Sequence, residues 1–276
     1  MNNIATKKFA YEIRKTILEG VHSTKAGHLG GEMSMSDLLA VLYNDVLRID
    51  PKNPKLETRD RLVVSKGHCG PSVYAALALK GFFPYEWIET INQNNTKLPS
   101  HLDMNKVPGV DMTTGSLGQG MSAALGLAFA MKHKKYDSRV YLVLGDGECD
   151  EGQVWEGALF ASTKKLNNVI AFVDRNLKQL DGYTRDICDV GDLRSKFEEF
   201  GWYSLKVDGH DCKAIYDAII DCQKQIEKPS MIILDTIKGK DCIFCEDKLY
   251  NHHVTFTDEE YNLALEHLDK LISEVA

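Results

Sequence analysis

Two short apolar runs, 140–144 and 169–174, constrain the fold more than any other feature of this sequence. Both are rich in β-branched residues and neither alternates apolar with polar positions, which is typical of strands covered on both faces in a parallel sheet. A segment of helical length separates them, as in a right-handed crossover. Similar runs at 61–65 and 231–237 predict further strands. We therefore expect an α/β fold with a mostly parallel sheet and helices on both faces.

The sequence shows no internal repeat, low-complexity tract or linker, so we predict one domain over residues 1–276. The clearest helix runs from Gly120 to about Lys135 and is apolar on nearly every face, which predicts burial almost all round. Asp211 is expected to cap a helix that ends near Glu227, and Thr257 or Asp258 to cap the last helix.

Charge and cysteine content exclude several classes of protein. The 33 basic and 40 acidic residues give a net charge of −7, which argues against nucleic acid and anionic membranes as partners. No apolar stretch approaches the roughly 20 residues of a membrane span, and the first residues lack the apolar core of a signal peptide. The seven scattered cysteines indicate reduced thiols, so we expect a cytoplasmic protein.

Cys242 and Cys245 have the spacing of zinc ligands and precede His252 and His253. A second such cysteine pair is missing from the sequence, and the two histidines are adjacent rather than three to five residues apart. We therefore interpret the cysteines as two packed thiols, with a zinc site as the less favoured alternative.

Polar residues follow two of the predicted strands. Gly145-Asp146-Gly147 ends the first and Arg175-Asn176 ends the second, and parallel strands bring their carboxyl ends to one edge of the sheet. A carboxylate and an amide oxygen, beside glycines that allow close backbone approach, suit Mg²⁺ shared with a phosphate. Each motif alone is a common turn. Here a predicted strand precedes each motif, and 28 residues separate Gly147 from Asn176. This combination is a much more specific signal of a metal and phosphate site than either motif alone.

A glycine loop, Gly115-Ser116-Leu117-Gly118-Gln119-Gly120, leads directly into the apolar helix. Free N–H groups at a helix N-terminus bind anions, so the loop is a candidate phosphate site. A simple helix-start turn is the alternative.

Five of the nine histidines lie in loops, many of them rich in glycine or proline, and loops carry function disproportionately. They are His28 in AGHLGG, His68 in SKGHCGP, His101 in LPSHLD, and the adjacent pair His252 and His253 in YNHHVTF. Any one of them could be structural. Together they predict a polar pocket that polarises carbonyl groups and moves protons near neutral pH.

These motifs, in this order, resemble those of transketolases. The similarity rests on AGHLGGEMSMSDLL, RDRLVVSKGH, VDMTTGSLGQGMSAALGLAFA, the Gly-Asp-Gly and Asn signature of thiamine diphosphate enzymes, and TIKGKD before a late histidine. The similarity extends over about residues 10–265 of this chain. In that region the chain resembles the N-terminal, diphosphate-binding half of transketolases. The resemblance implies a thiamine diphosphate-binding fold, and transfer of a two-carbon ketol unit from a ketose phosphate to an aldose phosphate.

The resemblance also implies the cofactors and their ligands. Thiamine diphosphate and Mg²⁺ would be bound, with the metal on Asp146, Asn176 and the backbone oxygen of Lys178. The residues that would contact the cofactor are His68, Gly115, Ser116, Leu117, Gly147, Glu148, Asn176 and His252.

By the same resemblance, His28 and His252 would contact the carbonyl and hydroxyl oxygens of the donor sugar. His101 would stabilise developing negative charge or move a proton, and Glu151 would reach across a subunit interface. Because the residue after the late histidine is often glycine in the family, the register also allows His253 in place of His252.

The family's pyrimidine-binding and C-terminal domains are not found in these 276 residues, which implies a separate partner chain and, most simply, an α₂β₂ assembly. The donor could be a pentose phosphate or a specialised ketose, such as a branched or sulfonated sugar. Less favoured alternatives are the α chain of a 2-oxo acid dehydrogenase and a non-catalytic scaffold subunit.

Overall fold

The computed structural model describes residues 1–275. Its strands are β1 (Ala26–Gly27), β2 (Arg61–Val64), β3 (Val140–Gly145), β4 (Val169–Arg175), β5 (Tyr203–Asp208), β6 (Ser230–Asp235) and β7 (Val254–Thr255). Its α-helices are α1 (Asn3–Val21), α2 (Leu29–Ser34), α3 (Ser36–Val41), α4 (Gly70–Leu79), α5 (Gln119–His133), α6 (Gly152–Thr163), α7 (Thr184–Ile187), α8 (Leu193–Glu199), α9 (Cys212–Cys222) and α10 (Asp258–Glu274).

The main sheet has five parallel strands in the order β2-β3-β4-β6-β5. All four predicted strands are present. The sequence analysis missed β5, whose exposed and half-buried positions mark it as an edge strand without a continuous apolar run. It also missed the two-residue antiparallel pair β1–β7, which tethers the segment after His253 to the segment before His28.

Both faces of the sheet are covered, because side chains alternate between two apolar clusters along each central strand. Tyr141, Val143 and Phe172 point to the cluster that includes α1, α3 and α4, whereas Leu142, Leu144 and Ala171 point to the cluster with α5, α6 and α8. The predicted parallel sheet with helices on both faces is confirmed.

The helix after the glycine loop is confirmed, but the predicted burial on all faces is wrong for this chain alone. Met121, Leu125 and Ala128 are buried, whereas Phe129 is 46% exposed. On the neighbouring helix α6, Leu159 is 59% exposed. An apolar face of the α5–α6 pair is therefore left uncovered by the chain itself.

The two predicted helix caps are present. The Asp211 carboxylate accepts hydrogen bonds from the first turn of α9, and Thr257 forms a capping box with Glu260 at the start of α10. Helix α9 ends at Cys222 rather than near Glu227, before the Lys-Pro that leads into β6. No helix within residues 1–275 combines the length and apolar character that crossing a membrane requires.

Candidate active site

A cavity of about 320 Å³ lies at the carboxyl ends of β3 and β4. Its position follows from the topology, because ligand sites of parallel α/β sheets lie beyond the carboxyl ends of the strands. The lining residues are His28, Gly31, Lys66, His68, His101, Gly115, Leu117, Gly145, Asp146, Gly147, Glu148, Asn176, Lys178, Gln179, Leu180, Lys238 and His252.

Nearly all of the predicted site residues line this one cavity. The two that do not are Ser116 and Glu151, both of which are exposed. Ser116 lies in the glycine loop with its side chain toward solvent, and Glu151 occupies the N-cap position of α6. If Glu151 acts across a subunit interface, as the resemblance implies, a position on the surface of the single chain is where it would lie.

Asp146, Asn176 and Lys178 form what we call the acid–amide edge of the cavity. The register of β3 and β4 pairs Gly145 with Asp174, so the residues after both strands lie side by side. One carboxylate oxygen of Asp146 accepts a hydrogen bond from the Leu177 amide at 2.6 Å and the other accepts from the Gly147 amide at 2.9 Å. Leu177 has a φ of +64°, a strained backbone conformation of the kind that collects at functional sites.

The electrostatics of the acid–amide edge favour a cation. Burial and the nearby Asp174 raise the pKa of Asp146 to about 6, although two backbone amides oppose the change. Asp174, also buried, is ion-paired with Lys66, which holds the pKa of Asp174 below its usual value although burial alone raises it. Asp146 forms no ion pair within residues 1–275: its carboxylate is hydrogen-bonded by two backbone amides, and Lys66 and Lys238 act on it only at longer range.

The donor set of the acid–amide edge fits Mg²⁺. It offers a carboxylate of Asp146, the amide oxygen of Asn176 and the carbonyl of Lys178, all hard oxygen ligands and few in number, as Mg²⁺ sites shared with phosphates require. The amide nitrogen of Asn176 donates to Asp174 at 3.2 Å, and the amide oxygen accepts from the Lys178 backbone amide at 3.2 Å, which leaves that oxygen a second lone pair for a metal.

The alternative zinc site is not formed. Among residues 1–275, no group of three or more His, Cys, Asp or Glu side chains is arranged to hold a metal ion. Cys242 and Cys245 are fully buried thiols in the segment between β6 and β7, as the packed-thiol interpretation predicts.

Glu148 lines the cavity, but its carboxylate is engaged within the protein. One oxygen accepts from the Gly118 amide at 2.7 Å and from the Ser65 hydroxyl, and the other accepts from the Gly145 amide at 3.0 Å. Glu148 thereby ties the glycine loop to the ends of β2 and β3. Gly118 itself has a φ of +78°, which explains the glycine at this sharp entry into α5.

His28, His68, His101 and His252 come together from four separate loops, and we call them the histidine cluster. The ring of His28 lies 5.4 Å from that of His68, 5.7 Å from that of His101 and 5.3 Å from that of His252, measured between centroids. The rings of His68 and His252 are 4.6 Å apart. Residues separated by more than 200 positions in the sequence thus face one cavity.

The histidine cluster is uncharged at neutral pH. Burial, reinforced by neighbouring basic groups, lowers the pKa of His28 to about 4 and that of His252 to about 3. The same causes hold the pKa of His68 far below its usual range, and burial lowers the pKa of His101. Each neutral imidazole offers one N–H donor and one acceptor nitrogen. The cluster is therefore suited to hydrogen-bond carbonyl and hydroxyl oxygens and to exchange protons with them.

The two adjacent histidines differ in position. His252 lines the cavity beside His68, whereas His253 is exposed and packs its ring 4.9 Å from that of His28. The geometry therefore favours His252 over His253 for contact with a bound cofactor.

The sequence analysis missed two lysines that line the cavity. Lys66 lies in SKGH and Lys238 in TIKGKD, so both stand within motifs that were recognised. Lysine is rarely buried, and nothing in a single sequence distinguishes a buried lysine from a solvated one. Burial lowers the pKa of Lys238 to about 8.

A parallel sheet with a polar cavity beyond the carboxyl ends of its strands is typical of α/β proteins that bind a ligand at that place. Residues 5–268 match the family described as transketolase, thiamine diphosphate binding domain. The chain belongs to the transketolase family, as an N-terminal subunit that carries this domain.

Two relatives of similar length are subunits of transketolases. The chain is 48% identical over 258 residues to the 6-deoxy-6-sulfo-D-fructose transketolase subunit SqwG of Clostridium sp. (strain MSTE9), covering 94% of both chains. It is 36% identical over 262 residues to one subunit of the apulose-4-phosphate transketolase of Phocaeicola vulgatus, covering 95% of this chain and 93% of the relative.

Solved transketolases share the fold. The Campylobacter jejuni enzyme superposes with a TM-score of 0.88 at 28% identity, covering all of this chain and 48% of that one. The Pichia stipitis enzyme gives 0.87 at 26% identity, covering 99% of this chain and 45% of that one. The chain thus spans about half the length of these transketolases, and the predicted thiamine diphosphate-binding fold is confirmed.

Proposed function

We propose that this chain is the diphosphate-binding subunit of a split transketolase that uses thiamine diphosphate and Mg²⁺. With its partner it would transfer a two-carbon ketol unit from a ketose to an aldose, both phosphorylated or otherwise charged at their far ends. Residues 1–276 would form a single domain, with the pyrimidine-binding and C-terminal domains on the partner. The seven cysteines, none of them in a disulfide within residues 1–275, fit a reducing cytoplasm.

One observation carries the proposal: the acid–amide edge and the histidine cluster line the same cavity. Hard oxygen donors beside a glycine loop suit a diphosphate and its metal. Neutral imidazoles next to them suit the carbonyl and hydroxyl oxygens of a sugar. A family scaffold without catalysis would not need both sets.

The residues of this chain divide the work between binding and proton handling. Asp146, Asn176 and the Lys178 carbonyl would hold Mg²⁺, and the backbone of Gly115, Leu117 and Gly147 would approach the cofactor. When bound, thiamine diphosphate supplies the nucleophilic carbon and the electron sink for carbon–carbon bond cleavage. The protein would orient it and exclude water from it.

The histidine cluster would act on the substrate. His28 and His252 would donate hydrogen bonds to the donor's carbonyl and hydroxyl oxygens, while His68 would lie beside the cofactor. His101, the most exposed of the four, would stabilise negative charge as it develops or carry a proton to and from a hydroxyl oxygen. Because all four rings start neutral, each has one ring nitrogen that can accept a proton without first losing one.

An uncovered apolar face supports the need for a partner. Phe129 on α5 and Phe160 on α6 lie with ring centroids 6.1 Å apart, and Phe129, Leu159 and Phe160 are each at least 40% exposed. Exposed apolar clusters of this kind mark protein interfaces. Glu151, at the start of α6, would reach across such an interface in the proposed α₂β₂ assembly.

The names of the relatives bear on the substrate. Two relatives of similar length are named as subunits of a 6-deoxy-6-sulfo-D-fructose transketolase and an apulose-4-phosphate transketolase. Escherichia coli transketolase 2 is 34% identical, and the match covers 41% of its length. We therefore propose a specialised ketose as a donor alongside pentose phosphates.

The test is to co-purify the chain with the product of the adjacent reading frame and assay ketol transfer. The donors would be xylulose 5-phosphate and 6-deoxy-6-sulfofructose, with glyceraldehyde 3-phosphate and ribose 5-phosphate as acceptors. We expect transfer that requires both chains, thiamine diphosphate and Mg²⁺. Turnover by this chain alone, or decarboxylation of 2-oxo acids without ketol transfer, would contradict the proposal.

A further inference from the structure

A buried network of charged and polar groups lies outside the cavity, and none of the proposed binding and catalytic roles uses it. At its centre is Asp37, a fully buried residue of α3. Its carboxylate is ion-paired with the buried guanidinium of Arg14 on α1 and with the ammonium of Lys7, which lies 2.8 Å away. Nδ1 of His210, in the turn before α9, lies 2.9 Å from the same carboxylate. Burial alone would raise the pKa of Asp37, but Arg14 and His210 hold it far below its usual value, so the carboxylate is ionised.

The two ring nitrogens of His210 have different partners, and this fixes the position of the ring proton. Nε2 lies 2.8 Å from the backbone nitrogen of Ile237. Because an amide N–H can only donate, Nε2 is the acceptor, and Nδ1 carries the proton that is donated to Asp37. The turn itself lies against the end of β6, where the Gly209 amide donates to the Asp235 carbonyl at 2.8 Å. His210 thus links the buried Asp37 to the segment that follows β6.

That segment, residues 237–239, contacts the loop of His28. The Gly239 amide donates to the Gly30 carbonyl at 2.8 Å, and Gly30 lies in the first turn of α2, two residues after His28. An added Cβ at Gly30 would lie 2.2 Å from the carbonyl oxygen of Asn251, so this close backbone approach requires glycine. The start of α2 is therefore held by backbone contacts from two directions.

The same segment also contacts the loop of His252. Asn251, which is fully buried and immediately precedes His252, donates its side-chain amide to the Lys238 carbonyl at 2.9 Å. Residues 237–239 thus connect two loops that lie more than 200 positions apart in the sequence. The relative position of the His28 and His252 rings, whose centroids are 5.3 Å apart, therefore depends on this segment.

We propose that Asp37 and His210 are positioning residues for ketol transfer. Asp37 orients the His210 ring, and His210 holds the backbone of residues 237–239. That backbone in turn keeps His28 and His252 facing one substrate. Neither Asp37 nor His210 lines the cavity, so both act through the two histidines and not on the substrate itself. The proposal rests on the proposed function, because it takes the substrate roles of His28 and His252 from it.

The test replaces His210, because Asp37→Ala would leave the buried Arg14 charge unpaired and is expected to unfold the chain. His210→Gln places a carboxamide oxygen near the position of Nε2, where it can accept from the Ile237 amide. His210→Asn is shorter, so it can donate to Asp37 but cannot reach that amide. His133→Asn, on the exposed end of α5, is the matched control.

Two quantities are measured on the complex with the partner chain: hydrogen exchange by mass spectrometry and steady-state ketol transfer. In His210→Asn, the peptides that cover 237–240 and 249–254 should exchange at least about fivefold faster, because the Ile237 amide loses its acceptor. kcat/KM for the donor should fall about tenfold, since small displacements of groups that orient a substrate are costly in rate. His210→Gln and His133→Asn should both stay within about threefold of the wild type in both measurements.

A His210→Asn complex that matched the wild type in exchange and in kcat/KM would overturn the proposal. A change in only one of the two quantities would also overturn it, because the segment and the histidines would then not be linked. Faster exchange over the whole chain, or a His210→Gln variant as impaired as His210→Asn, would overturn it too, since neither result depends on the contact with Ile237. A wild-type complex without ketol transfer that depends on thiamine diphosphate would instead refute the proposed function.

Discussion

The acid–amide edge and the histidine cluster line one cavity but are built in different ways. The edge comes from two adjacent parallel strands whose register places Asp146 and Asn176 together. The histidine cluster gathers side chains from four loops that span residues 28 to 252. The edge is charged and the cluster is neutral at pH 7. We therefore expect substitutions at the edge to change cofactor affinity, and substitutions of the substrate-facing histidines of the cluster, His28, His101 and His252, to change the rate.

The largest effect is expected at the edge. Asp146→Ala should lower the affinity for thiamine diphosphate at fixed Mg²⁺ by about 100-fold or more, because it removes the only carboxylate of the donor set. Calorimetry on the assembled complex measures this, with the exposed Asp181→Ala as control. Assembly should be unchanged while ketol transfer is lost. Unaltered cofactor affinity would remove Asp146 as a metal ligand, and retained activity would favour a scaffold role for the chain.

The opposite pattern is expected for His101→Ala. Turnover should fall by about 100-fold, since general acid–base groups contribute on that scale, while the affinity for thiamine diphosphate stays within about threefold. Steady-state kinetics and calorimetry on one preparation separate the two quantities, with His133→Ala, on the exposed end of α5, as control. If both quantities dropped together, His101 would belong to the binding part of the cavity and the contrast between the two regions would fail.

His252, which belongs to the histidine cluster, can be compared with its neighbour His253, which does not. His252→Ala should lower kcat/KM for the donor by about 30-fold, because His252 lines the cavity and lies against His68. His253→Ala should cost less than about fivefold, because His253 is exposed and contacts only the His28 ring among the cluster. Donor saturation curves for both variants decide the point. The reverse order of effects would move the site to His253.

The difference in construction also explains what could be predicted from the sequence. Asp146 and Asn176 were identified because strand ends have recognisable patterns and their meeting point follows from parallel topology. For His28 and His252, the loop positions predicted only a shared polar pocket, and their separate roles came from the resemblance, since no local pattern relates such distant loops. Edge strand β5 and the burial of Lys238 depend on tertiary packing, which a single sequence does not display.

A smaller effect is expected at Glu32, on α2, one residue from the cavity. Its carboxylate is fully buried, and neither oxygen has a hydrogen-bond partner at ordinary geometry within residues 1–275. Burial raises the pKa of Glu32 from 4.5 to about 8. Because the folded state then holds a proton that the unfolded state releases, stability falls as the pH rises from about 4.5 to about 8.

Glu32→Gln should therefore raise the melting temperature by about 5 °C at pH 8.5 and by little at pH 5. Thermal unfolding followed by circular dichroism across this range gives the difference between variant and wild type. Glu266→Gln, at an exposed position of α10, controls for the loss of one negative charge. A difference that did not widen with pH would mean that Glu32 is ionised in the folded chain.

The most direct test of the account is a crystal structure of the chain with its partner, thiamine diphosphate and Mn²⁺ in place of Mg²⁺. The account predicts an anomalous manganese peak bound by the Asp146 carboxylate, the Asn176 amide oxygen and the Lys178 carbonyl, with the sugar-binding space facing His28, His101 and His252. A cofactor bound in this cavity without metal at those three oxygens, or bound elsewhere, would contradict it.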